Sequence, residues 1–451
     1  MRIIVSIICL ITIGFCLEFN ENRNYPYVVF LPVFLLIFNI LGHWAFPKLK
    51  RSIVYYSFYF QAIIRYCLIP LGIALGNPLG VGQHSLNGST AIFVMGIELL
   101  AIFMLFLYQN TKEGSQESPN IILISKNYWI YLFAGAMFLI IASSGFLNKV
   151  NFLGNFASYV EKYEGTGEEV EFDSIGGVLF GPFRIIILLI FASFILGAKK
   201  LGRFQKLIGL IILMGAMSSF IIGASRLSIL LFILPFYLAL NTILDKQSRK
   251  FVGIGLLSLM IPVLLFASLA KFTRGDTVAT TDSILNTSSL NAYFAGVGNV
   301  AVGIDTFEKQ ENKTYVLSLV NDLFQNIPLL SKITDDTYKT NMAFNKEIFG
   351  HSLWQTQIVP LNISGLFHFN IYGVGFYAVL CLFLAMQLEQ KAKREAYLPY
   401  KYAFYSLAIA LSMVFMLNLG SMMASIFRTF IFVYLPFAVM RILNKTKVVY
   451  H

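Results

Sequence analysis

Hydrophobicity divides this chain into blocks of roughly 20 residues, the length at which a helix crosses about 30 Å of hydrocarbon. The blocks fall at 3–18, 27–46, 53–76, 90–108, 128–147, 179–198, 207–223, 227–244, 251–270, 370–388, 402–419 and 425–443. Lipid offers no partners to a bare backbone, so blocks of this length predict helices. The expected fold is an all-α polytopic membrane protein with about 12 transmembrane helices. Composition supports this: 57% of the 451 residues are apolar and 13% charged, with a mean hydropathy of +0.71. A soluble domain carries about a quarter charged residues.

Residues 1–18 could pass for a signal peptide, but only Arg2 precedes the apolar stretch and no small-residue cleavage pattern follows. Phe15 before Cys16 is also wrong for lipoprotein processing, so the block is expected to remain as a helix.

Orientation follows from the basic residues, which cytoplasmic loops hold in excess. With the N-terminus inside, 20 of the 34 lysines and arginines fall on the cytoplasmic side, in clusters at 48–51, 199–206, 246–250 and 391–394, while most acids fall outside. Both ends are therefore expected in the cytoplasm, with the chain in a bacterial cell membrane. The net charge of +11 then reflects topology, and nucleic acid is not an expected partner.

Two outer loops are long. Residues 148–178 carry six acids around "GTGEE". Residues 271–369 hold apolar runs at helical spacing such as "YVLSLVNDLFQNIPLL" and small-residue turns such as "AGVGNVAVG", and are expected to form a cap of short helices on the outer face. Long ordered loops on a scaffold usually carry function. The expected organisation is 1–270 with helices one to nine, 271–369 as the large extracytoplasmic loop, and 370–451 with helices ten to twelve and a cytoplasmic tail.

Cys9, Cys16, Cys67 and Cys381 sit in apolar blocks without ligand or disulfide spacing, and read as buried thiols. No metal and no cofactor is expected, since zinc spacing, dinucleotide fingerprint and phosphate-binding glycine loop are all missing from the sequence.

Charges inside the blocks point to a site, because an ionisable group at the bilayer centre costs about 2.5–3.5 kcal/mol. Arg65 lies mid-block in the third helix and Glu98 in the outer half of the antiparallel fourth, so an ion pair is expected. Arg184 opens the sixth block, Arg226 sits in the link "GASRLS", and Arg428 follows an expected outer turn "GSMMAS". Lys271 and Arg274 continue from the ninth block. Such convergence near the outer surface suggests an anion site, and guanidinium forks suit phosphate oxygens.

The segments "GASRLSILLFILPF", "NAYFAGVGNVAVGI", "NIPLLSKITDDTYKTNMAFN" and "WQTQIVPLNISGLFHFNIYGVGF" resemble the oligosaccharide repeat-unit polymerases, the Wzy-type O-antigen and capsule polymerases. The resemblance implies a metal-independent glycosyltransferase on the outer face of the cytoplasmic membrane. Its substrate would be an undecaprenyl-pyrophosphate-linked oligosaccharide, and its expected partners are membrane lipids, a chain-length regulator and a flippase. Outer-loop arginines are important in that family, which makes Arg226, Arg274, Arg65, Arg428 and Arg184 the expected pyrophosphate ligands.

A diphosphate leaving group needs charge stabilisation more than a strong acid. The acceptor hydroxyl still needs a base, for which His351 in "GHSLWQTQ" comes first and Asp276 second. Trp354, Gln355 and Gln357 are the expected glycan contacts. Two other readings fit the same pattern, a lipid-linked oligosaccharide flippase and an outer-face glycan ligase. The former predicts two similar halves, whereas the single long loop after the ninth block makes this chain lopsided.

Overall fold

A computed structural model describes residues 2–112, 122–124, 128–152, 175–221, 226–242, 244–258, 286–310, 314–328, 330–350 and 358–443. Among these, regular structure is helical apart from one two-residue antiparallel pair, Asn151–Phe152 against Phe220–Ile221. The N-terminal helices are α1 (Arg2–Phe19), α2 (Phe30–Ala45), α3 (Ile53–Ala74) and α4 (Gly88–Lys112). Next come α5 (Tyr128–Ser143), α6 (Ile175–Gly197), α7 (Arg203–Ser218) and α8 (Arg226–Asn241). The segment expected as a loop contains α9 (Thr287–Tyr293), α10 (Val297–Glu308), α11 (Tyr315–Phe324), α12 (Thr340–Phe349) and α13 (Leu361–Phe369). The chain then continues through α14 (Phe376–Arg394), α15 (Leu398–Ser412) and α16 (Leu419–Leu443).

Five of the described helices, α1, α3, α4, α6 and α16, are long and apolar enough to cross a membrane. A sixth crossing is possible in length and composition if Leu361–Gly373 and Phe376–Arg394 count as one span, but the two are bent by 107°. α2, α5, α7, α8 and α15 occupy other expected blocks with 15 or 16 residues each. Only the first part of block 251–270 lies within the described residues, and it is helical to 258.

Two boundaries differ from the sequence expectation. The tenth block was expected to run unbroken over 370–388, yet the chain turns at Asn370–Gly373 and α14 starts at Phe376. Backbone geometry explains the break, since Asn370 and Gly375 both adopt positive φ, 58° and 81°. "GSMMAS" was expected to be an outer turn, yet it is helical, and the turn precedes it at 413–418. Asn418 starts the helix, its Oδ1 accepting from the Ser421 amide at 2.8 Å.

The chain forms two compact units. The first comprises Met1–Ser115, Thr281–Gln387 and Ala408–Ala424. In it α1 packs on α2, and α2 and α10 both pack on α4. Polar groups tie these helices together: Asn39 donates to Arg2 O and Ser6 Oγ, both at 2.8 Å. Asn291 holds the 79–82 loop to the start of α10, donating to Val81 O at 3.0 Å and accepting from the Gly298 amide at 3.1 Å. The glycines of "AGVGNVAVG" thus serve packing, since a Cβ on Gly298 would meet Val81 O at 2.2 Å.

The second unit comprises Gln116–Thr280, Leu388–Leu407 and Ser425–His451. Its apolar core joins α5, α6, α7, α8 and the late helices through residues such as Ile141, Leu189, Met214, Phe236, Tyr402 and Phe437.

Candidate functional site

Arg65 lies within α3 on a π turn, Ile64–Leu68, a helix irregularity often found at functional sites. It is fully buried, and its Nη1 stands 3.0 Å from Glu98 Oε2, an atom that also accepts from Asn362 Nδ2 at 3.1 Å. The guanidinium lies 4.1 Å from the centre of the Phe415 ring, which covers one face of the cation. Tyr66, next along the turn, donates to Met95 O on α4 at 3.1 Å. The expected ion pair is therefore present and has two further members from distant segments.

Phe415 is positioned by the end of α15. Gln61, one turn before Arg65, donates to Ser412 O at 2.9 Å and accepts from the Phe415 amide at 3.0 Å, satisfying backbone that the helix leaves open. Asn362 is positioned by the bend. Gly365 and Gly373 meet so closely that a Cβ on either would stand 2.0 Å from the other's carbonyl oxygen, and a Cβ on Gly375 would lie 3.4 Å from Glu98 Cα.

Four buried atoms of this centre, Arg65 Nε and Nη2, Glu98 Oε1 and Asn362 Oδ1, have no hydrogen-bond partner among the described residues. Nε and Nη2 form the edge of a guanidinium that grips two oxygens at once.

α13 also carries a second polar centre. His368 Nδ1 lies 2.8 Å from the Tyr377 hydroxyl and Nε2 lies 3.0 Å from Asp322 Oδ2, with all three side chains buried. Asp322 Oδ1 accepts from the Thr340 amide at 2.9 Å. An ionised Asp322 can only accept, so a neutral imidazole carries its proton on Nε2 and receives the Tyr377 hydroxyl at Nδ1.

A groove of about 860 Å³ lies in the same unit, lined by Gln83, His84, Asn87, Asp305, Glu308 and Glu347 among others. Asn87 Nδ2 bridges Asp305 Oδ1 at 2.8 Å and Glu308 Oε2 at 2.9 Å.

The expected pyrophosphate ligands are distributed as follows. Arg65 belongs to the first unit, Arg184 and Arg428 to the second. Arg184 does not open its helix, because α6 begins nine residues earlier. Its Nη2 donates to Met217 O at 2.6 Å, and its guanidinium stacks 4.5 Å from the Phe232 ring centre. Arg428 lies equally far into α16, at an exposed position. Arg226 is the first residue of α8, and its side chain lies outside what is described. Arg274, Asp276, His351, Trp354, Gln355 and Gln357 all lie outside the described residues.

Asn362, Phe415, Asp322, His368 and Tyr377 were not among the expected site residues. Asn362 and His368 carried a sequence signal, polarity inside the apolar run "PLNISGLFHF", whereas Phe415 is apolar and carried none. No protein-family model, curated protein or solved structure matches this chain.

Proposed function

We propose that this chain is a polymerase joining undecaprenyl-pyrophosphate-linked oligosaccharide repeat units into a surface polysaccharide on the outer face of the cytoplasmic membrane. On this reading the twelve apolar blocks all cross the bilayer, both ends are cytoplasmic, and the 271–369 segment works on the outer side. The observation that carries the reading is Arg65, a buried guanidinium paired through Nη1 whose Nε and Nη2 edge has no partner among the described residues. That edge suits phosphate oxygens. The net charge of the Arg65–Glu98 pair is zero, so the site can hold polar groups without an isolated buried charge.

In the reaction an acceptor hydroxyl oxygen bonds to the donor anomeric carbon. The bond from that carbon to the pyrophosphate oxygen breaks, its electron pair leaves with undecaprenyl pyrophosphate, and the hydroxyl proton passes to a base. Guanidinium groups stabilise the charge growing on the leaving group, Arg65 being the one whose geometry is described and Arg226 and Arg274 those expected from the sequence. His351 or Asp276 takes the proton, and the Asp322–His368–Tyr377 centre offers a third base. The polar groove at Asn87 and Asp305 is suited to sugar hydroxyls.

One observation favours a flippase as the second reading. A helix pair broken by 107° with polar residues beside the break resembles the discontinuous helices of transporters. The surface glycan of a deletion strain separates the two, since a polymerase loss leaves lipids capped with single repeat units and a flippase loss removes surface glycan altogether. A strain that still makes long polymer but no longer attaches it would indicate a ligase and overturn the proposal.

A further inference from the structure

In α11 the polarity of a water-facing helix is reversed. Its buried positions are Ser318, Asn321 and Asp322, and its exposed ones include Val316 at 72%, Leu317 at 45% and Val320 at 41%. Two of the three polar residues are engaged by the protein: Asn321 Oδ1 accepts from the Asp335 amide at 2.5 Å and Asp322 holds Thr340 and His368. Val316, Leu317 and Val320 form one stripe at i, i+1 and i+4. Ile333, in the turn that follows, is 72% exposed, with exposed Lys332 beside it.

The same unit offers both kinds of helix for comparison. α12 also buries polar groups, Thr340, Asn341 and Asn345 beside Phe344, but its exposed side chains are the charged Lys346 and Glu347, where those of α11 are apolar. α3 and α4, long and apolar enough to cross a membrane, have the reversed kind: Gln61, Arg65 and Glu98 are inside, and Phe60, Phe93, Leu100 and Met104 are outside. α11 follows α3 and α4. A stripe of this kind in water would be an aggregation liability, whereas against lipid it is the favourable arrangement.

We propose that α11 is a lipid-facing helix, with Val316, Leu317, Val320 and Ile333 in contact with bilayer acyl chains and Lys332 at the headgroup level. The segment between the ninth and tenth apolar blocks is then partly embedded, and Asp322 and His368 sit on the protein side of a helix whose other side is hydrocarbon. This holds whether the chain polymerises, flips or ligates glycans.

The test uses single cysteines, Val316→Cys, Leu317→Cys, Val320→Cys, Ile333→Cys and, as a water-facing control, Lys346→Cys, each spin-labelled in the full chain. The protein is reconstituted into phosphatidylethanolamine and phosphatidylglycerol vesicles, and unsubstituted protein supplies the background from the four native cysteines. Collision with oxygen should exceed collision with a water-soluble nickel chelate several-fold at 316, 317, 320 and 333, with the order reversed at 346. Chelate dominating at 316, 317 and 320 would overturn the proposal in favour of water. Low collision with both reagents would overturn it in favour of a covering protein surface.

Discussion

Asn362 donates a 3.1 Å hydrogen bond to the Glu98 carboxylate across 264 positions of sequence, and the same carboxylate oxygen holds Arg65. One oxygen therefore fixes α13 to both α3 and α4.

Removing one member of the Arg65–Glu98 pair leaves a buried charge alone. Glu98→Ala should destabilise the protein by about 3–5 kcal/mol, whereas the double change Arg65→Met with Glu98→Leu should cost much less. Thermal unfolding in detergent, with membrane abundance measured in parallel, checks both. A folded double variant that still extends chains would make the pair structural.

Arg65→Lys separates charge from fork. An ammonium can still pair with Glu98, but it cannot present two donors along one edge. Normal membrane abundance with a much shortened polysaccharide ladder is expected, and the same holds for Arg226→Lys and Arg274→Lys. Full-length ladders in all three variants would remove the phosphate clamp.

Gly373→Ala puts a methyl group 2.0 Å from the Gly365 carbonyl oxygen, a contact only backbone movement can relieve. A loss of about 1–3 kcal/mol is expected. Gly135→Ala, where nothing lies within 4 Å, should be neutral or slightly stabilising. Comparable losses in the two variants would show that the close approach at the bend carries no special weight.

Tyr377→Phe removes one hydrogen bond from His368 and should cost about 0.5–1.5 kcal/mol. Asp322→Ala leaves both the imidazole and the Thr340 amide without their acceptor, at about 1–3 kcal/mol. If His368 serves as base, His368→Gln should abolish chain extension at normal abundance. An unchanged ladder would confine this centre to holding α11 on α13.

Orientation can be read by labelling intact cells with an impermeant thiol reagent. Cysteine at Thr337 should label and cysteine at Gln247 should not, both positions being exposed. The reverse pattern would invert the topology.

The Arg65–Glu98 pair was legible in the sequence because a charge in an apolar block demands a partner and only one opposite charge lay in the adjacent block. The helices were legible for the same reason of length and composition. The bend before α14 was not, since hydropathy averages over "FNIYGVG" and cannot register positive φ at Asn370 and Gly375. The role of His368 is not legible because its partners stand 46 and 9 positions away, and a lone histidine in an apolar run does not announce them. The apolar spacing of α11 fits a helix of the expected cap. Spacing gives the period of an apolar stripe but leaves open whether it faces protein or lipid.

Arg65 meets neighbours that stand at very different distances along the chain. Glu98 follows 33 positions later, in the next long apolar helix, so on the proposed membrane reading the two enter the bilayer as a hairpin with the charge already neutralised. Asn362 and Phe415 emerge hundreds of residues afterwards. On the proposed membrane reading, a nascent chain stalled before Asn362 would already be charge-balanced yet still lack Asn362 and Phe415, which complete the centre only in the last third of the chain.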